Sequence, residues 1–389
     1  MIEFGVVIGI LYLLILAFLF WGSLKVPEFF SEEDTSGKTK FSIIIPFRNE
    51  AEHLSELLKS LQKINYPKDS FEVIFVDDES EDDSVEIIES VISALRQAQC
   101  TTPLNERVIE IQFQIIKNVR KSNSPKKDAI TLGVSKAKYD WIVTTDADGE
   151  VPSNWLHAFH SFIIRKEPYF IAAPVGLSNQ NSFIGKYQIF DLLSLQTVTM
   201  GSFGMNHPLL CNGANLCYKK EVFQSVNGYE GNSHIASGDD IFLLEKVNNK
   251  YPNKVHFLKS KEAIVITKTE DNWQKLIAQR IRWASKTSKQ NNWLSKLIGL
   301  VVFLCNFLVI IGVFLSFLNT NYLSYFLVFW MLKLVLDFLF IISTASFFRN
   351  GISFFQFIIS SILYSIITTI VFLRSLFGTY SWKGRQFKK

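Results

Sequence analysis

The sequence predicts an α/β fold, a parallel sheet covered by helices on both faces, with membrane-spanning helices at its two ends. Three observations carry that reading. Short, β-rich apolar runs alternate with helical patterns between residues 41 and 148, as in parallel sheets with helical crossovers. Acidic residues fall where those runs give out. Long apolar segments occupy residues 4–21 and the last quarter of the chain from Leu297 onward.

"FGVVIGILYLLILAFLFW" (4–21) is long enough to cross a hydrocarbon core of ~30 Å, which takes about 20 helical residues. It has no basic stretch before it and no small-x-small cleavage signature, so a signal-anchor helix is expected rather than a cleaved signal peptide. Glu3 precedes it and Lys25 is the first basic residue after it. The positive-inside tendency then puts the N-terminus outside and the following domain in the cytoplasm. Residues 25–40 form a polar linker. "FSIIIPF" (41–47) reads as a strand and "NEAEHLSELLKSLQKI" as a helix with apolar residues at helical spacing. "FEVIFVDD" (71–78) is a second strand, "SEDDSVEIIESVISAL" a second helix, and "RVIEIQFQII" a third strand. "KKDAITLGVSKA" is a further helix and "DWIVTTDAD" a fourth strand.

Composition narrows the functional classes. Hydrophobic residues make up 48% of the 389 and Phe occurs 35 times, which is heavy for a soluble enzyme. The net charge of +4 is modest, and no Lys/Arg stripe alternates with aromatics, so nucleic acid is not an expected partner. Four cysteines (Cys100, Cys211, Cys217, Cys305) lack ligand spacing and read as reduced thiols rather than a zinc site or disulfide framework.

Ligands of parallel α/β sheets bind at the carboxyl ends of the strands, and Asp77, Asp78, Asp146 and Asp148 all fall at such ends. Two carboxylates one residue apart beside a glycine turn suit a hard divalent cation, which takes its other ligands from phosphate and water. The competing reading is plain turn chemistry, because Asp-x-Asp-Gly also closes turns well.

The ordered set "IIIPFRNE", "VDDES", "KKDAI", "DADG", "NGAN", "SGDD" and "QRIRW" resembles the inverting family 2 glycosyltransferases of GT-A fold. It is similar in particular to their membrane-embedded branch of polysaccharide synthases and ceramide-glucosyltransferase-like enzymes. The resemblance spans about residues 41–285, and it implies roles for matching residues. Pro46, Arg48 and Glu50 would line the nucleotide pocket together with Asp77 and Asp78, with Asp78 near the base and Glu50 near the ribose. Lys126 or Lys127 would face the nucleotide. Asp146 and Asp148 would be the DxD pair on Mn²⁺ or Mg²⁺, with Asp148 the direct ligand. Asp240 matches the catalytic base, although "SGDD" departs from the commoner TED or EED form and leaves Asp239 as the alternative. Gln279, Arg282 and Trp283 fit QxxRW, whose aromatic would floor the acceptor site and whose arginine would approach the diphosphate.

The chemistry asks for such residues in any case. A departing diphosphate gains charge in the transition state, and a cation and an arginine stabilise it. The attacking hydroxyl needs one carboxylate as general base, which gives inversion in a single displacement. Bland readings stand beside these: Asp77 and Asp78 as helix caps, "SGDD" as a turn, and "QRIRW" as a basic helix face on lipid headgroups. His157, His160, His207, His234 and His256 show no ligand spacing. Residues 182–204 form a mostly apolar helix that fits either a core or a membrane interface.

In the last quarter, 297–318 and 353–374 read as spans. Residues 322–348 are long enough for a third, with Lys333 and Asp337 four apart and able to pair on one helix face. The expected organisation is an anchor over 1–24, the linker 25–40, a glycosyltransferase domain over 41–290, and a membrane domain of two to three spans over 291–389. Three spans would put the basic tail outside, against the positive-inside tendency, whereas "SWKGR" resembles a Trp-basic-Gly-Arg tail of membrane members of this family, which favours a cytoplasmic end. The function expected is inverting, metal-dependent transfer from a UDP-hexose or UDP-N-acetylhexosamine to a lipid or lipid-linked acceptor in the plasma or inner membrane. Membrane lipids and a glycan acceptor are the other expected partners. The alternatives are a processive polysaccharide synthase and an inactive membrane scaffold or transporter component. A nucleotidyltransferase would carry a glycine-rich phosphate loop, and "IIIPFRNEAEH" has no glycine.

Overall fold

A computed structural model describes residues 2–31, 39–101, 111–178, 181–287, 289–349, 351, 353–376, 379–382 and 385–388. Part of the expected linker (32–38), the start of the third expected strand (107–110) and Lys383, Gly384 and Lys389 of the tail lie outside the described residues. The chain forms two compact units: residues 27–176 with 211–268, and residues 1–26 with 177–210 and 269–389. The stretch expected as one domain, 41–290, is thus divided between them, and 177–210 and 269–290 group with the apolar helices.

The first unit is α/β. Its elements in chain order are β1 (Phe41–Phe47), α2 (Ala51–Gln62), β2 (Phe71–Asp77), α3 (Ser84–Thr101), β3 (Gln112–Lys117), α4 (Pro125–Lys136), β4 (Trp141–Thr144), α5 (Trp155–Lys166), β5 (Phe170–Ala172), β7 (Leu216–Lys219), α7 (Lys220–Ser225), α8 (Asp239–Lys250) and β8 (Val255–Phe257). β6 (Val175–Leu177) and β9 (Val265–Thr267) pair with each other outside the main sheet. The seven-stranded sheet has the order β3-β2-β1-β4-β7-β5-β8. β1, β2, β3 and β4 are parallel, in the register Phe41↔Phe71, Glu72↔Gln112 and Phe41↔Trp141. β7 runs antiparallel between β4 and β5. The sheet is therefore mixed, where the sequence predicts a parallel one. A four-residue strand such as "LCYK" shows no direction in its pattern, and only its hydrogen-bond partners decide it.

Strands and helices share one apolar core. β1 and β2 are buried along nearly their whole length, the pattern of strands covered on both faces. α2 turns Leu54, Leu57, Leu58 and Leu61 into that core at helical spacing. α5 adds Trp155, Leu156, Phe159 and Phe162.

The second unit is helical: α1 (Ile2–Lys25), α6 (Phe183–Gly204), α9 (Trp273–Thr287), α10 (Trp293–Leu318), α11 (Asn321–Ala345) and α12 (Phe354–Leu376), with the hairpin β10 (Thr379–Trp382) and β11 (Arg385–Lys388). Of these, α1, α10, α11 and α12 are long and apolar enough to cross a membrane. α1 and α6 pack backbone against backbone. A Cβ on Gly201 would sit 2.2 Å from the Leu19 carbonyl oxygen, and one on Gly22 would sit 2.1 Å from that of Gly201. Glycine is needed there because any side chain would strike main chain, as in close-packed helix pairs in lipid.

Candidate active site

The loops at the carboxyl ends of β1, β2 and β4 and the start of α8 carry the site. The register Phe47↔Asp77 ends β1 and β2 at one level, and the loops beyond them are tied together. The Asn49 side chain accepts from the Glu81 amide at 2.8 Å, and the Glu50 and Ala51 amides donate to Ser84 (2.8 Å) and Asp82 (3.0 Å). Arg48 donates to the Asp78 carbonyl at 2.9 Å, to the Glu79 carbonyl and to the Glu81 carboxylate at 2.8 Å. Its guanidinium is thereby spent on holding the two loops in register. Pro46 sits within β1 opposite Val76.

Asp77 and Asp78 are both buried but do different work. Asp77 accepts from the Ser80 amide at 2.9 Å and closes the turn after β2, whereas the amide of Ser84 at the start of α3 is bonded by Asp82. Asp78 accepts from the Asn118 side chain at 2.7 Å, with the Arg120 guanidinium 3.5 Å away. Asn118 and Arg120 were not singled out by sequence reasoning. They lie just past the end of β3, so the same strand-end rule that found Asp77 would have found them.

Asp146 and Asp148 follow β4, both half-buried, in a turn closed by the Gly149 amide on the Asp146 carbonyl at 3.1 Å. Lys126, in the first turn of α4, places its ammonium 2.6 Å from Asp146 and 3.2 Å from Asp239. Burial alone would push the lysine toward losing its proton. The carboxylates of Asp146 and Asp239 outweigh that and hold its pKa above the ordinary lysine value, so the ammonium stays charged. One cation thus joins the strand-end Asp146 to Asp239 at the start of α8.

The adjacent Lys127 is buried at 1% exposure and donates to the Asn232 and Ile235 carbonyls, each at 2.8 Å, with its ammonium over the Phe242 ring. Through those two carbonyls it braces the loop leading into "SGDD". Ser124 reaches the same loop through the Ala236 carbonyl at 3.2 Å. Gly238 has φ +87° immediately before α8. That left-handed backbone favours glycine, and it gives the physical reason for Gly238 where the commoner form has glutamate or threonine. Asp239 and Asp240 are both buried, and Asp240 accepts from the Ile241 amide at 2.7 Å. Gly213 of "NGAN" lies against this cluster. A Cβ there would fall 2.7 Å from the Asp239 carboxylate and 3.3 Å from the Lys126 ammonium. Its carbonyl accepts from Thr144 at 3.0 Å.

Gln279, Arg282 and Trp283 lie on α9 in the helical unit. Gln279 donates to Glu270 at 2.9 Å. Arg280, which the sequence leaves without a role, is buried. Its guanidinium meets Asp191 at 2.5 Å, bonds the Gln279 side chain and stacks on Trp283, 4.2 Å from the ring centroid. Its partner Asp191, on α6, was not foreseen, because nothing in a mostly apolar helix marks which polar residue meets a partner.

No group of three or more His, Cys, Asp or Glu side chains stands in metal-binding geometry among the described residues. Asp146 and Asp148 still offer two carboxylates of the kind that Mg²⁺ or Mn²⁺ takes when phosphate and water complete its shell, and Asp146 carries the Lys126 ammonium at 2.6 Å. The donor set fits such an ion.

The sequence matches the model of glycosyl transferase family 2 over residues 42–226 and that of glycosyl transferase family group 2 over residues 141–376. The poly(ribitol-phosphate) beta-N-acetylglucosaminyltransferase TarS of Staphylococcus aureus is 29% identical over 124 residues, covering 32% of this chain and 19% of the relative. A poly(ribitol-phosphate) beta-glucosyltransferase of Bacillus spizizenii is 31% identical over 123 residues, covering 32% of this chain and 17% of the relative. The chain therefore spans less than a fifth of the length of these two relatives. In structure, the mannosyltransferase PcManGT of Pyrobaculum calidifontis, solved with GDP-Man and Mn²⁺, has a TM-score of 0.54 at 14% identity, covering 89% of this chain and 97% of its own. That likeness shows the fold.

Proposed function

The chain belongs to the family 2 glycosyltransferases, and on that premise we propose that it moves a hexose or N-acetylhexosamine from a uridine diphosphate sugar to the hydroxyl of a lipid or lipid-linked acceptor, inverting the anomeric carbon. The observation that carries this reading is the Lys126 ammonium held between Asp146 and Asp239. It gathers, in one place, carboxylates from the end of β4 and the start of α8, as a diphosphate site beside a general base requires.

The residues take these roles. Asp78, Arg48 and Glu50 shape the nucleotide pocket, with Arg120 and Asn118 orienting the Asp78 carboxylate. Asp146 and Asp148 would hold Mn²⁺ or Mg²⁺. When bound, such an ion stabilises negative charge on the leaving diphosphate. Lys126 adds a fixed positive charge beside the same carboxylates, effective because it is already in place before reaction. Asp240 takes the proton from the acceptor hydroxyl. Asp239 is engaged in the ion pair with Lys126, so we assign Asp240 as base and Asp239 as the residue that positions Lys126. Arg282 and Trp283 keep the diphosphate and acceptor roles that QxxRW implies. We place the α/β unit in the cytoplasm, with α1, α10, α11 and α12 in the membrane.

The test uses membranes containing the protein, Mn²⁺ or Mg²⁺, and a panel of radiolabelled UDP-sugars with GDP-mannose alongside. Products are divided into organic-soluble and high-molecular-weight fractions. Label in one organic-soluble species supports a lipid acceptor. Label in polymer would replace this reading with a polysaccharide synthase or a glycan acceptor. No label with any donor would remove the transferase reading.

A further inference from the structure

Inside the helical unit lies a cavity of about 90 Å³ lined by residues of α1, α6, α10, α11 and α12. Its wall is unusual for a bundle of apolar helices. Tyr12, Asp191, Asp337, Ser360, Ser361 and Tyr364 face it among phenylalanine, leucine, isoleucine and valine side chains. Ser360 is 3% exposed, and its hydroxyl has no hydrogen-bond partner. A buried polar atom without a partner costs free energy, and a polar-walled space is filled by water or by a ligand that satisfies it. Ionisable side chains among membrane helices mark functional sites by default, because their burial is expensive.

The charges limit what that ligand is. Each carboxylate on the wall has its own cation: Lys333 pairs with Asp337 at 2.5 Å and Arg280 with Asp191 at 2.5 Å. Tyr12 also donates to Asp337 at 2.5 Å. Neither cation is among the lining residues, which include no Lys, Arg or His. The wall therefore offers carboxylate oxygens and hydroxyls, and the cations nearest it are already paired with its carboxylates. A phosphate would meet two carboxylates and no facing cation. An alcohol would donate to a carboxylate oxygen and accept from a serine or tyrosine hydroxyl. A water needs about 10–15 Å³ of such space, so the cavity has room for several waters or for a small polar head with its chains along the apolar wall.

We propose that this cavity binds the uncharged, hydroxyl-bearing head of a membrane lipid in preference to a phosphate-bearing one. The inference rests on the lipid-acceptor reading only for the fate of the bound lipid; the binding site itself is a separate claim.

The experiment uses the full-length protein in mixed micelles with two photoactivatable probes of identical chains, a diacylglycerol and a phosphatidic acid, each carrying a diazirine near the head. The diacylglycerol should label peptides of α1, α11 or α12 at least fivefold more than the phosphatidic acid, with competition by unlabelled diacylglycerol. Ser360→Phe fills the space and should abolish that labelling while a UDP-induced thermal shift persists, which reports a folded protein. Asp337→Asn keeps the volume but leaves Lys333 unpaired, and should raise phosphatidic acid labelling relative to diacylglycerol. Equal labelling by both probes, or labelling unchanged by Ser360→Phe, would overturn the proposal. Sugar transfer to lipid without labelling of these helices would remove this site and leave the transferase reading intact. Labelling without transfer would do the reverse.

Discussion

Lys126 and Lys127 are adjacent and identical in type but meet different groups, and that difference sets the residue scale. One turns its ammonium to Asp146 and Asp239, the other to two backbone carbonyls. Sequence could name the pair but not separate it, because neighbouring residues on a helix point about 100° apart and only the surroundings say which direction is the site. Lys126→Met should lower kcat/KM about 10²–10³-fold, the usual cost of losing one preorganised charge partner. Steady-state kinetics with a UDP-sugar would check it, and a loss under threefold would deny Lys126 its role. Asp240→Asn should cost about 10²–10⁴-fold in kcat, the range for a general base, with donor affinity by titration nearly unchanged. If Asp239→Asn gives that pattern and Asp240→Asn does not, the two assignments exchange.

At the scale of elements, strand ends were readable and short strands were not. β1, β2 and β4 announce themselves as apolar runs closed by Pro46, Asp77 and Asp146. β5, β6, β8 and β9 have three residues each, too few for any periodicity to register. They are held instead by side chains such as Asn215. It accepts from the Trp155 indole at 2.9 Å and donates to the Pro174 and Ala263 carbonyls, both at 2.7 Å. Asn215→Leu strands these buried groups and should destabilise by about 2–4 kcal/mol, since each orphaned partner costs ~1–3; thermal denaturation of the purified protein would show it. In the helical unit, Gly201→Val drives a side chain into the Leu19 carbonyl. It should cost about 1–3 kcal/mol by overpacking, whereas Gly299→Val, with nothing within 4 Å of its added Cβ, should melt within a degree or two of the parent. Equal melting shifts for the two glycine variants would contradict the tight α1–α6 crossing.

At the scale of the molecule, four helices suited to a membrane and an α/β unit with strand-end carboxylates occur in one chain. Alkaline carbonate washing should leave the protein in the membrane pellet, and release into the supernatant would remove the spanning assignment. In the α/β unit His256 contributes to the pH dependence of folding near neutrality. Burial pushes the His256 imidazole below its ordinary pKa, helped by the charges of Lys166 and Lys254. The unfolded imidazole titrates near 6.5, so below that pH the unfolded state holds more protons and stability falls as pH drops through the folded value. Above about 6.5 the contribution is fully present. His256→Gln should therefore lose less melting temperature than the parent between pH 7.5 and 5.5. An equal or greater loss would contradict the assignment.

Sequence by itself determined the family through seven motifs in order, the α/β class through alternating patterns, and the apolar helices at both ends through length and composition, with the third C-terminal one, which carries Lys333 and Asp337, left open until the structure showed it as α11. These are local properties, written in runs of neighbouring residues. It also foresaw the Lys333–Asp337 pair, because four residues on a helix is a fixed distance. Only the tertiary structure decided that β7 runs antiparallel, that 177–210 and 269–290 join the helical unit, that Lys126 rather than Lys127 meets Asp146, and that Arg280 is spent on Asp191. Each of those depends on groups far apart in the chain, and no local pattern records which distant partner will satisfy a charge or a strand edge.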